Sequence, residues 1–165
     1  MSYLLDANTL IEAKNRYYQM RFCPGYWAWL TRTKDAGRLA SVESVGTELR
    51  RGNDQLAQWV ITQADLFLPE SDEATQSAFA EIAGHIASQA PTMKAGALEE
   101  FLGGADPWLI AKARVTGHTV VTHERLNAEN RRKFLIPNVC SHYGVECINT
   151  FDMLDRLDAR FVLAD

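Results

Sequence analysis

Asp6, Glu48, Asp106 and Glu124 are the four residues on which this chain could base its chemistry. Each lies just past a short apolar stretch that reads as a buried strand, or within the helix that follows it. Tyr3-Leu4-Leu5 runs into Asp6, and Leu39-Ala40-Ser41 leads into a helical stretch with Glu48 two turns along. Gly104-Ala105 opens onto Asp106-Pro107, and Thr119-Val120-Val121-Thr122 ends two residues before Glu124. In open α/β sheets the ligand crevice lies beyond the carboxyl ends of the strands. Four carboxylates gathered at one such edge repel one another at neutral pH unless a cation sits among them. Hard divalent cations take oxygen ligands of this kind. The pattern predicts a Mg²⁺ or Mn²⁺ site, for which metal-assisted phosphodiester hydrolysis is the natural chemistry.

Taken singly, each acid has a structural explanation. Asp6 and Asp106 suit helix N-caps, the second more so because Pro107 follows it. Glu48 would serve as a solvated helix residue and Glu124 as a loop acid. The functional reading rests on all four recurring at equivalent ends of successive βα units.

Those units can be traced along the chain. Strands are expected at Tyr3 to Leu5, Leu39-Ala40, Leu66 to Leu68, His118 to Thr122 and Val145 to Ile148. Helices alternate with them: a short one near Thr9 to Lys14, one from Cys23-Pro24-Gly25 to Gly37, and one capped by Ser41 that carries Val45 and Leu49. Further helices are expected after the caps Asp54, Ser71, Asp106 and Thr150, between Thr92 and Gly104, and near Val139 to His142. Alternating βα units with short connections point to a three-layer α/β/α fold around a mostly parallel sheet of about five strands. No linker or repeat interrupts residues 1–165, which read as a single domain.

The bulk properties agree with this. A chain of 165 residues can bury a core without staples. With 47% hydrophobic and 23% charged residues it has the balance of a globular protein. No apolar run approaches the ~20 residues that span a bilayer. Met1-Ser2-Tyr3-Leu4-Leu5-Asp6 has no basic leader, so a soluble cytoplasmic protein is expected, with no membrane partner. Cys23, Cys140 and Cys147 are an odd count and fit buried thiols better than a disulfide framework or a zinc site. The net charge of −4 is no bar to nucleic acid, since the four acids at issue account for all of it.

The same residues resemble a known family. Leu4-Leu5-Asp6-Ala7-Asn8-Thr9-Leu10-Ile11 is similar to the opening signature of PIN-domain nucleases, and Thr47-Glu48-Leu49-Arg50-Arg51-Gly52 to their second acidic motif. Ala105-Asp106-Pro107-Trp108-Leu109-Ile110-Ala111-Lys112-Ala113, followed by Gly117-His118-Thr119-Val120-Val121-Thr122, resembles the helix-then-strand segment bearing the third acid. The resemblance extends over essentially the whole chain, to Gly144-Val145-Glu146-Cys147-Ile148 and Thr150-Phe151. It implies a PIN-like fold and a metal-dependent endoribonuclease. Many bacterial members are VapC-like toxins paired with a cognate antitoxin, which makes an antitoxin a candidate partner. Two features depart from the family: Glu124 stands where aspartate is usual, and an aromatic insertion runs from Tyr17 to Trp29.

On this reading Asp6, Glu48, Asp106 and Glu124 are both metal ligands and catalytic residues, with Asp6 and Asp106 the direct ligands. Asn8 and Thr122 would position water or an acid. Arg50, Arg51, Arg131 and Arg132 would hold flanking RNA phosphates. Tyr17, Tyr18, Phe22, Trp27 and Trp29 could stack on bases. Trp27 and Trp29 cannot share one helix face, so at least one packs inward or onto a partner, an antitoxin or a second copy in a homodimer. His85, His118 and His142 show no partner pattern, while His123, beside Glu124, could touch substrate. Two alternatives stand beside this: a catalytically degenerate module that binds RNA or protein, and a phosphotransferase with Asp6 as nucleophile. The second would need an acid at Asn8.

Overall fold

The computed structural model describes all of residues 1–165. Its centre is a five-stranded, wholly parallel sheet: β1 (Tyr3–Leu5), β2 (Leu39–Val42), β3 (Phe67–Leu68), β4 (Thr119–Val121) and β5 (Cys147–Ile148), in the order β3-β2-β1-β4-β5. Tyr3 is in register with Leu39 on one side and Thr119 on the other. Every residue of β1, β2 and β4 is buried. Parallel strands covered on both faces read as continuous apolar runs for that reason. Helices cover both faces: α1 (Ala7–Glu12), α2 (Pro24–Asp35), α3 (Glu43–Arg50), α4 (Gln55–Thr62), α5 (Glu73–Gln89), α6 (Ala97–Gly103), α7 (Asp106–Thr116), α8 (Ile136–Tyr143) and α9 (Thr150–Arg156). The three-layer α/β/α architecture follows. No helix is long and apolar enough to cross a membrane.

Four expected helix starts are corrected by one residue each. Ser41 does not cap α3; it lies within β2, where its buried hydroxyl donates to the Leu5 carbonyl at 2.6 Å, so the strand runs on to Val42. Asp72, not Ser71, caps α5, accepting from both the amide and the hydroxyl of Thr75. Asn149, not Thr150, caps α9 through the Asp152 amide. Ala105, not Asp106, is the N-cap of α7, and Asp106 occupies the first helical turn with no capping bond. The chain turns one residue early there because the Ala105 amide is drawn to Glu48 Oε1 at 3.1 Å. Gly117 (φ 75°) and Gly144 (φ 68°) end α7 and α8 in the left-handed region that glycine adopts without strain.

The aromatic insertion is mostly core. α1 passes into a π-helical turn, Ala13–Tyr17, and α2 follows. Trp27 is buried and donates its Nε1–H to the Tyr18 carbonyl at 2.6 Å. Tyr18 stacks on the buried Tyr26 at 4.3 Å between centroids, and Trp27 meets Trp59 edge-on at 5.0 Å. Trp27 is therefore the inward member of the Trp27–Trp29 pair, and it is unavailable to RNA. Tyr17 and Phe22 remain exposed.

Candidate functional site

The strand order places β1 at the centre. From it the chain proceeds to β2 and β3 on one side, and through β4 to β5 on the other. The crevice beyond the carboxyl ends of β1 and β4 is thus the topological switch point, the usual ligand site of open parallel sheets. Asp6 is the first residue after β1 and Thr122 the first after β4. The Asp6 amide donates to Val121 at 3.0 Å, locking the two strand ends together. α7 returns toward the start of β4, so its first residue, Asp106, falls at the same edge.

Asp6 is only 2% exposed, and its Oδ2 accepts from the Thr122 hydroxyl at 2.8 Å. Burial is the main reason its proton affinity rises, to about 6. The Thr122 hydroxyl and, more weakly, the amides of Asn8 and Ala7 oppose the rise, while the charge of Glu124 adds to it. The two amides face the carboxylate but fall short of a capping hydrogen bond.

Asp106 is half-buried, and its carboxylate makes no hydrogen bond. Its pKa is pushed up to about 7, first by burial, then by the charges of Asp6, Glu124 and Glu48, against the opposing charge of Lys133. A helix N-terminus favours a carboxylate by up to about 2 kcal/mol in a partly buried position. The rise from 3.8 to about 7 corresponds to roughly 4 kcal/mol the other way, at ~1.4 kcal/mol per tenfold change. Burial and like charge win.

Glu48 and Glu124 are held by backbone amides. Glu48 Oε1 accepts from Ala105, tying α3 to the start of α7. Glu124 Oε2 accepts from Ile136 at 3.2 Å, its own amide donates to Thr122 Oγ1 at 3.2 Å, and Lys133 Nζ lies 3.8 Å from its Oε1. Glu48, Asp106 and Lys133 line one cleft of about 200 Å³ with Glu100 and Gly104. A Cβ at Gly104 would stand 3.7 Å from Glu48 Oε1, an ordinary van der Waals contact. With Glu48 and Glu124 tethered in this way, no three acidic, imidazole or thiol side chains converge as a ready-made ligand group.

Residues 3–161 match the family described as "Domain of unknown function (DUF4411)". The chain belongs to that family. No curated protein matches it. In this DUF4411 protein the four acids named from the sequence thus come to one edge, where Asp106 feels the other three.

The remaining expected contacts divide. Thr122 is in the site. Asn8 is exposed at the start of α1. Arg50 and Arg51 are exposed at the end of α3, with Arg50 reaching Thr47 Oγ1 at 3.4 Å. Arg131 is committed to the carbonyls of Ala128 and Asn130, while the Arg132 side chain is exposed. Lys133, one residue on, is the cation that enters the cleft. In the sequence it closes the Arg131-Arg132-Lys133 run, in a loop that returns to the same edge before α8, and nothing local marks it from its neighbours.

The histidines also need correction. His85 and His142, 57 residues apart and so without a sequence signal, stack at 3.7 Å. They line a cavity of about 450 Å³ that reaches Lys133. His123 Nε2 lies 3.3 Å from Thr150 Oγ1.

Thr122→Val tests the inner hydrogen bond. Without the hydroxyl, the Asp6 carboxylate loses the contact that most favours its charge. Its pKa rises further, and if Asp6 holds a metal any activity at neutral pH falls about 10–100-fold, the usual cost of losing a partner that orients a ligand. Thr122→Ser retains most of the rate. Equal rates for the Val and Ser variants would remove Thr122 from the site.

Proposed function

We propose that this DUF4411 protein is a metal-dependent endoribonuclease, acting at the sheet edge that carries Asp6, Glu48, Asp106 and Glu124. One observation carries this reading: Asp106 is half-buried without a hydrogen-bond partner, and the charges of three other acids raise its proton affinity. Such a carboxylate is stabilised by a proton or by a cation. The donor set fits a hard ion such as Mg²⁺ or Mn²⁺, being all carboxylate oxygen with no thiol or imidazole in it.

Asp6 and Asp106 would hold the ion, with Glu48 and Glu124 as further ligands, directly or through water. When bound, the ion supplies a water of lowered pKa and offsets charge at the leaving oxygen. Thr122 keeps the Asp6 carboxylate oriented and favours its ionised form. The Ile136 and Ala105 amides fix Glu124 and Glu48 so that neither must be immobilised during the reaction. Lys133 offers a cation to a phosphate at the mouth of the cleft. RNA as the substrate, and the role of toxin with an antitoxin partner, rest on the resemblance to PIN-domain nucleases. A nucleophilic Asp6, as in a phosphotransferase, fits poorly with its burial and its bond to Thr122.

The test is cleavage of end-labelled single-stranded and structured RNA. Hydrolysis should require Mg²⁺ or Mn²⁺, stop in EDTA and return with excess ion. Undiminished cleavage in chelator overturns the reading. Glu124→Gln should raise the Mg²⁺ concentration for half-maximal rate and lower the saturated rate. An unchanged titration reduces the site to three carboxylates. Metal binding with no turnover on any RNA would favour the degenerate binding module instead.

A further inference from the structure

On the β5 side of the acidic crevice lies a second cavity, of about 410 Å³, in the size range of small-molecule sites. Thr122 and Glu124 form its wall toward the crevice, so the two spaces adjoin. Two aromatic rings meet at its rim. Tyr17 comes from the π-helical turn after α1, and Phe151 from the first turn of α9. Their centroids are 5.4 Å apart in an edge-on arrangement, and both stay exposed, Tyr17 by 51% and Phe151 by 47%. The His123 ring stands 6.2 Å from Phe151 and is steadied by Thr150.

The origin of Tyr17 matters. π-helical turns are rare and concentrate at functional sites, because the extra residue re-aims the side chains that follow. Here the Tyr18 amide reaches back five residues to the Ala13 carbonyl at 2.9 Å, and the preceding ring swings over α9 instead of joining the Tyr18–Tyr26 stack. Tyr18, Tyr26, Trp27 and Trp29 of the aromatic insertion pack in or against the core, while Phe22 stays exposed away from this cavity's lining. Arg125 also lines the cavity, exposed and engaged in no ion pair or hydrogen bond. An exposed aromatic pair beside an uncommitted guanidinium offers a base a face to stack on and its phosphate a cation.

We propose that this cavity is a nucleobase subsite: the Tyr17–Phe151 pair holds a base of the RNA strand flanking the scissile bond, one ring face-on and the other edge-on, and Arg125 binds its phosphate. The inference rests on the nuclease reading for the strand itself, but its test does not depend on turnover. The strand enters between the subsite and the carboxylates, with Glu124 and Thr122 at the boundary.

The experiment measures binding of two trinucleotides to the full chain in EDTA, where no cleavage occurs. One carries 2-aminopurine at its centre, and the other is abasic there with the same phosphates. Quenching of 2-aminopurine reports stacking, and competition with the abasic analogue gives its affinity. Wild type should quench the probe and prefer it by roughly 5- to 150-fold, the range for one base stacked on aromatic side chains. Tyr17→Ala and Phe151→Ala should each remove most of that preference, and Tyr17→Phe should keep it. Arg125→Ala should weaken both trinucleotides alike and lessen the salt dependence.

Circular dichroism melting checks the fold of each variant, and Phe151→Ala decides the matter should Tyr17→Ala fail to fold. Equal affinity for the two trinucleotides, or alanine variants that quench like wild type, overturns the proposal and leaves the rings to a protein partner. A base preference without metal-dependent cleavage would keep the subsite and overturn the nuclease reading. Cleavage without base preference would do the reverse.

Discussion

Asp106→Asn should abolish RNA hydrolysis and, in the metal-free protein at neutral pH, raise the melting temperature. The two effects have one cause. The carboxylate is partly buried and feels the charges of Asp6, Glu124 and Glu48, with Lys133 the opposing charge. Asparagine keeps the shape but carries no charge, so the repulsion and burial cost disappear. No cap is lost, because Ala105 holds that position in α7. For a domain of this size each kcal/mol recovered raises the melting temperature by about 2–4 °C. Loss of a direct ligand should cost more than the ~10–100-fold typical of the partners around it. Saturating Mg²⁺ should reverse the order of stability, since an ion that binds only the native state stabilises the wild type by mass action. A variant that melts lower without metal, or cleaves at the wild-type rate, would return Asp106 to a structural role.

The fold was legible because parallel strands buried on both faces leave short apolar runs, and here these alternate regularly with helix signals. Leu4-Leu5 and Val120-Val121 are such runs, and residues that follow them directly, Asp6 and Thr122, inherit a fixed place at the sheet edge. Helix starts were less legible, because Ser41, Ser71, Asp106 and Thr150 are all good caps in isolation. The long-range bonds that displaced Ser41 and Asp106, to Leu5 and Glu48, have no trace in local sequence. For the same reason the loop cation could not be singled out. Arg131, Arg132 and Lys133 are equivalent as a charge run, and only the path of the loop turns Arg131 onto its own carbonyls while Lys133 faces Glu124. The Tyr17–Phe151 pair, 134 residues apart, depends on a π-helical turn that no periodicity announces.

In chelator, the stability of the wild type relative to Asp6→Asn and Asp106→Asn should fall as pH rises from about 4 to about 8. An unfolded aspartate titrates near 3.8, whereas folded Asp6 holds its proton to about 6 and folded Asp106 to about 7. Below pH 4 both carboxyls are neutral in both states, and no penalty exists. Between pH 4 and 7 the native protein keeps protons that the unfolded chain has released, so native stability drops by up to ~1.4 kcal/mol per pH unit for each group. Above about pH 7 both native groups are ionised, and the penalty is complete. Other groups shape the absolute curve. Burial lowers the proton affinity of His85, His118 and His123, so they favour the native state as pH rises through the same window. Asp54, Asp65 and Glu146, held below the usual carboxylate range by their partners, lose their contribution only at more acid pH. Subtracting each variant's curve from that of the wild type cancels these terms and isolates the two aspartates. Chemical denaturation in EDTA from pH 5 to 8 measures that difference, and saturating Mg²⁺ should flatten it by replacing the missing protons with a cation. A difference that is flat in EDTA would mean that neither carboxylate is held against its charge, and the case for a cation at this edge would fall with it.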